Sequence, residues 1–211
     1  YLIILLPLTL ITGPFLSDLS VSLVSIIFIL FIIKNKKYNL LNNKFTIIFT
    51  IFWLYIVLNS LFINFDLASI KISFFYFRFL FFTLAFAYLL KVNNYLLKKL
   101  FYSFLFCFIL LIFDGYFQYF VGKNIIGIEI PYGPRVSSFF GDELILGSYL
   151  SRLFPIFFGL TIFFYKNHIK KIFMISFIFI FLEGLVFISG ERTAFFYVNL
   201  SAFFMIIFIN E

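Results

Sequence analysis

Four ionisable residues stand inside long apolar runs of this chain: Arg78, Asp114, Arg152 and Glu183. A charge among lipid tails costs a few kcal/mol on insertion scales, so each is a functional hypothesis by default. Two more arginines, Arg135 and Arg192, follow Gly133-Pro134 and Gly190-Glu191. Arginine is the basic residue suited to two-point contact with phosphate or carboxylate, because its planar guanidinium presents a fixed fork of donors. The chemistry these residues would do is to hold an anion. Metal chemistry is not expected, since His168 is the sole histidine and no Asp-x-Asp pair stands in an outer loop. Cys107 is the sole cysteine, so no internal disulfide or redox motif exists, and no cofactor is implied.

The elements that position these residues are membrane helices. The chain is 64% hydrophobic, 25% aromatic and only 12% charged, with a mean hydropathy of +1.14. A soluble globule of 211 residues has no place to hide that much apolar surface. Crossing about 30 Å of hydrocarbon takes roughly 20 apolar residues, and eight segments qualify: 1–13, 18–34, 45–64, 69–90, 97–121, 143–165, 171–188 and 193–210. Gly13-Pro14 supplies the turn between the first two. The fold class is therefore all-α, a polytopic transmembrane bundle in one domain spanning 1–211. Both ends read as truncations, since Tyr1 is not Met and the last apolar run stops at Asn210-Glu211. The net charge of +7 is scattered over short loops, which speaks for topology and against a nucleic-acid partner.

Loop charge orients the bundle. Lys34, Lys36, Lys37 and Lys44 share one loop, Lys91, Lys98 and Lys99 another, and Lys166, Lys170 and Lys171 a third. The positive-inside rule makes these cytoplasmic, along with both fragment ends, and leaves 122–142 as the longest extracytoplasmic loop. Every basic residue in the cytoplasmic loops is Lys, whereas all four arginines lie outside or within the membrane. At 1.5 Å per residue, Arg78, Asp114, Arg152 and Glu183 fall about 8–14 Å below the outer surface. Together they suggest an outer-leaflet site for a phosphate-bearing or otherwise anionic substrate. The plainer alternative is a pair of structural ion pairs, Arg78–Asp114 and Arg152–Glu183. Ser103, Cys107, Asp114 and Gln118 form one polar helical stripe. Gly147, Ser151, Pro155 and Gly159 form a small-residue row suited to close helix packing.

Three stretches carry a more specific pattern. The first is Tyr116-Phe117-Gln118-Tyr119-Phe120-Val121-Gly122. The second runs Arg135-Val136-Ser137-Ser138-Phe139-Phe140-Gly141-Asp142-Glu143 and on to Leu146-Gly147-Ser148-Tyr149. Gly141 with the two acids reads as the start of a helix with carboxylates at its positive end. The third, Ser189-Gly190-Glu191-Arg192-Thr193-Ala194, reads as a short outer turn, with a Glu191–Arg192 interfacial ion pair as its bland interpretation.

In this order and on one membrane face, the three stretches resemble the O-antigen ligase family, which includes the related O-antigen polymerases. The resemblance covers residues 110–200; the first hundred agree in hydropathy. One departure is Asp142-Glu143, where many relatives have Asn-Pro-Asn. The resemblance implies a membrane glycosyltransferase of the bacterial inner membrane, acting on the periplasmic face. It would move a glycan from undecaprenyl pyrophosphate to lipid A-core or to another lipid-linked glycan. Arg135 and Arg192 match the motif arginines that hold the pyrophosphate, with Arg152 and Arg78 added by depth. Asp114, Gln118, Glu183 and Glu191 would support them. The family's catalytic histidine lies on a large later loop, so no catalytic base is expected among these residues, and His168 falls on the cytoplasmic side. The competing readings are a transporter for an anionic solute and a purely structural membrane subunit. The partners are thus the lipid-linked donor, a lipid or glycan acceptor, and membrane lipid.

Overall fold

The structure is a computed structural model that describes residues 1–63, 65–93, 95–131, 133–164 and 168–209. Lys166, Asn210 and Glu211 lie outside the described residues, as do the side chains of Lys170 and Lys171. The chain is all-α: α1 (Leu2–Ile11), α2 (Pro14–Lys34), α3 (Lys44–Phe62), α4 (Leu67–Phe75), α5 (Arg78–Val92), α6 (Tyr95–Val121), α7 (Leu146–Phe164), α8 (His168–Ile188) and α9 (Arg192–Ile209). Each expected segment contains a helix among the described residues, with the fourth divided into α4 and α5. Among the described residues, five stretches are long and apolar enough to cross a membrane: 14–34, 44–62, 67–92, 95–121 and 146–164. Local signals mark the starts. Pro14 opens α2, where its missing N–H is not needed. Asn43 caps α3 by accepting from the Thr46 N–H at 2.8 Å, and Asp66 caps α4 through the Ser69 N–H at 3.3 Å.

The helices gather into two compact units, one of residues 1–9 and 14–96, the other of 10–13 and 97–211. In the first, α2 packs on α5 and α3 on α4. The buried stripe of α2 includes Ser17, Ser20, Val21, Val24 and Ser25, small side chains that let a neighbour come close. The division between α4 and α5 falls at Tyr76-Phe77, where no proline or glycine explains it. Side chains of neighbouring helices donate to carbonyls on both sides of the break. Trp53 Nε1 donates to the Ser73 and Phe74 carbonyls at 3.1 and 3.2 Å, and Ser25 Oγ donates to the Arg78 carbonyl at 2.7 Å. Backbone in lipid must find such partners inside the protein.

In the second unit α7 is the hub, packing on α8 and α9. Phe157 of α7 stacks on Phe101 of α6 and meets Phe108 edge-on, with ring centroids 5.6 and 5.1 Å apart. Glycines set the approach of α6 to α8. A Cβ on Gly115 would stand 2.5 Å from Leu185 Cδ1, and one on Gly184 would collide with the Tyr116 hydroxyl. That hydroxyl donates to the Phe181 carbonyl at 3.1 Å. With no water to expel between helices, this contact is held by close van der Waals packing and the one hydrogen bond. The small-residue row on α7 contributes at one end. Gly147 admits Ser189 and Glu191, while a Cβ on Gly159 would meet nothing within 4 Å.

Candidate functional site

The site is built at the end of the second unit where α6 finishes, α7 begins, and α8 turns into α9. Two residues of the polar stripe on α6, Asp114 and Gln118, are both 0% exposed. Neither meets an arginine among the described residues. Asp114 accepts from the Ile125 N–H at 2.9 Å and from the Ser138 hydroxyl. Gln118 Oε1 accepts from the Ser137 and Ser138 N–H groups at 3.1 and 2.6 Å, and its Nε2 donates to the Ile128 carbonyl at 3.2 Å. These two side chains bind the 122–142 segment onto α6. They hold Ser138 at φ +53, a conformation that side chains seldom adopt without support. Higher in the stripe's other direction, Cys107 hydrogen-bonds Tyr149 of α7.

The start of α7 differs from the expectation. Asp142 and Glu143 precede the helix, which begins at Leu146, and the carboxylate at its N-terminus comes from Glu191. Glu191 Oε1 accepts from the Gly147 N–H at 2.6 Å; Oε2 accepts from the Ser148 N–H at 2.9 Å and from Ser148 Oγ at 2.5 Å. Free N–H groups and a positive helix end favour an anion there. The carboxylate of Glu191 is thereby committed to α7 rather than to Arg192.

This anchoring places the 189–191 turn against the loop that carries Arg135. Gly190 adopts φ +71, and a Cβ there would lie 2.9 Å from Arg135 Nε and 3.1 Å from its Cγ. Only glycine provides both the backbone angle and the room. Arg135 and Arg192, both exposed, line one cavity of about 520 Å³ together with Tyr119, Gly190 and Glu191. Its remaining walls include Val186, Phe187 and Phe195, which are apolar. Two guanidiniums beside an apolar wall suit an anion attached to a hydrocarbon chain. Gly190, Ser148, Tyr119 and the two phenylalanines were not picked out from sequence as site residues. Tyr119 adjoins Gln118 in the first motif, which was the available signal.

The other expected residues are elsewhere. Arg78 lies in the first unit, where its Nη2 pairs with Asp18 at 2.9 Å and its Nη1 donates to Ser22 at 3.3 Å. Each member of the supposed Arg78–Asp114 pair has other partners within its own unit: Asp18 and Ser22 take the two Nη atoms of the arginine, whose Nε has no partner among the described residues, and loop donors meet the aspartate. Arg152 is exposed on α7, on the stripe shared with Ile156 and Phe163, and is not part of the cavity lining. Glu183 is half-buried on α8, and the Arg152–Glu183 pair is absent among the described residues. His168 opens α8, twenty residues before Ile188 and so about 30 Å along the helix from the cavity end.

No family model, curated protein or solved structure matches the chain.

Proposed function

We propose that this chain forms the donor-binding part of a membrane glycosyltransferase of the O-antigen ligase or polymerase type. It would work on the periplasmic face of the bacterial inner membrane, transferring a glycan from undecaprenyl pyrophosphate to lipid A-core or another glycan. The observation that supports this reading most is the meeting of Arg135 and Arg192 on one cavity, although 57 residues separate them in sequence. In the transfer, an acceptor hydroxyl attacks the anomeric carbon as the bond to the pyrophosphate oxygen breaks. Negative charge grows on that leaving group, and the two guanidiniums stabilise it where it develops. The apolar wall of Val186, Phe187 and Phe195 suits the isoprenoid end. The acceptor's proton goes to a base that the resemblance places on a separate large loop.

The test is to replace Arg135 or Arg192 by Ala in the glycan-producing cell. Surface glycan should disappear while membrane abundance of the protein is unchanged. Normal glycan at normal abundance in both variants would remove the two arginines from the mechanism and this reading with them.

A further inference from the structure

Residues 122–130, which follow α6, form a tight hairpin. The Asn124 N–H donates to the Ile128 carbonyl at 2.8 Å, the Ile130 N–H donates to the Gly122 carbonyl at 3.2 Å, and Lys123 faces Glu129 across the neck. The hairpin does not project beyond the helix; it doubles back along it. The Ile125 N–H reaches Asp114, seven residues before the end of α6, and Ile128 is held by Gln118, three before it. The tip backbone therefore lies about 10 Å back from the helix end. At that level Ile125 is 52% exposed and Ile126 72%. Phe113, beside Asp114 on α6, is 66% exposed at the same level.

The backbone donors of the tip are also satisfied within the chain. Every N–H from 124 to 128 has a partner within the chain. Besides the two already given, the Ile126 and Ile128 N–H groups donate to Asn124 Oδ1 at 3.1 and 2.7 Å, and the Gly127 N–H donates to the Asn124 carbonyl at 2.9 Å. Donors so paired can leave water, whereas the carbonyls of residues 125–127 accept from no group among the described residues, so the backbone stays at headgroup level and the isoleucine side chains reach inward. Charge sits at the neck and isoleucine at the tip, the order in which a hairpin would enter a leaflet from its headgroups.

We propose that 122–130 is an interfacial hairpin whose Ile125 and Ile126 side chains contact the lipid hydrocarbon of the leaflet around the end of α6. The occupant of this surface is lipid. Contact with lipid fixes the depth of the loop that continues to Arg135, and the proposal stands whether or not that arginine binds a sugar donor.

The test uses the whole chain with Cys107→Ala, reconstituted in phosphatidylcholine–phosphatidylglycerol bilayers. A nitroxide is attached at Ile126→Cys, with Phe113→Cys as the lipid reference and Asp142→Cys as the water reference. Ile125→Cys provides a second tip position should the first disturb folding. Collision with a water-soluble nickel chelate should be about tenfold lower at the tip than at position 142, while collision with oxygen matches position 113. A chelate rate equal to that at 142 would place the tip in water and overturn the proposal. Low rates with both reagents would mean that protein covers the tip, and would overturn it equally. Adding Asp114→Ala should raise the chelate rate toward that at 142 by releasing Ile125; an unchanged rate would show that Asp114 does not hold the hairpin at depth.

Discussion

Replacing Glu191 by Ala removes three hydrogen bonds at once from the first turn of α7. Two of them come from backbone N–H groups that have no partner in the helix itself. Hydrogen bonds to a charged group contribute about 1.5–3 kcal/mol each, and those sharing one carboxylate do not add fully. The favourable placement at a helix N-terminus is worth a further 0.3–2 kcal/mol or so. Allowing for overlap, the first turn should lose about 2–4 kcal/mol of local stability. The assay is amide hydrogen exchange of the protein in lipid nanodiscs, read at Gly147 and Ser148. At 1.4 kcal/mol per tenfold, exchange should accelerate roughly 30- to 1,000-fold. Ser148→Ala, which removes only the hydroxyl bond, should shift it by tenfold or so at most. Arg192→Ala should leave it alone, because Glu191 serves α7 and not its neighbour. Unchanged exchange in Glu191→Ala, or equal acceleration in Arg192→Ala, would refute the cap and restore a Glu191–Arg192 pair.

Gly190→Ala should move Arg135 off its seat, since the new Cβ would crowd Nε and the backbone would hold a left-handed angle at a cost of about 1–2 kcal/mol. The expected result is loss of surface glycan with protein abundance retained, and normal glycan would show that Arg135 works without this seat. Trp53→Phe keeps an aromatic ring but removes the donor that satisfies the Ser73 and Phe74 carbonyls, so thermal unfolding in nanodiscs should show a loss of about 1–2 kcal/mol. A variant as stable as the parent would mean that the break between α4 and α5 needs no support from Trp53.

Helix positions were legible because lipid makes a simple demand: runs of apolar residues of a set length, with charges and turn residues between them. Gly13-Pro14 ended one helix and began another as expected, because neither residue continues a helix from its N-terminal side. The break before Arg78 was not legible. It carries no turn residue of its own, and the donors beside it, Trp53 and Ser25, belong to other helices. The acids at 142–143 misled for a similar reason. An acid just ahead of a helix is a good local cap, but a carboxylate supplied from 191 already fills the position.

Residue type alone determined that this is an all-α membrane chain, that its arginines are kept apart from its lysines, and that Arg135 and Arg192 belong to motifs worth pairing. Composition and motif spacing are local properties, and a sequence displays them directly. Which charges meet was decided by tertiary structure. Asp114 and Gln118 lie on a stripe that could have faced arginines, yet they hold a loop. Arg78 found Asp18 on α2, and Arg152 stayed outside the cavity altogether. Charges and donors in lipid take whichever partner the packing brings within about 3 Å, and that choice rests on helix contacts made by glycine, serine and phenylalanine.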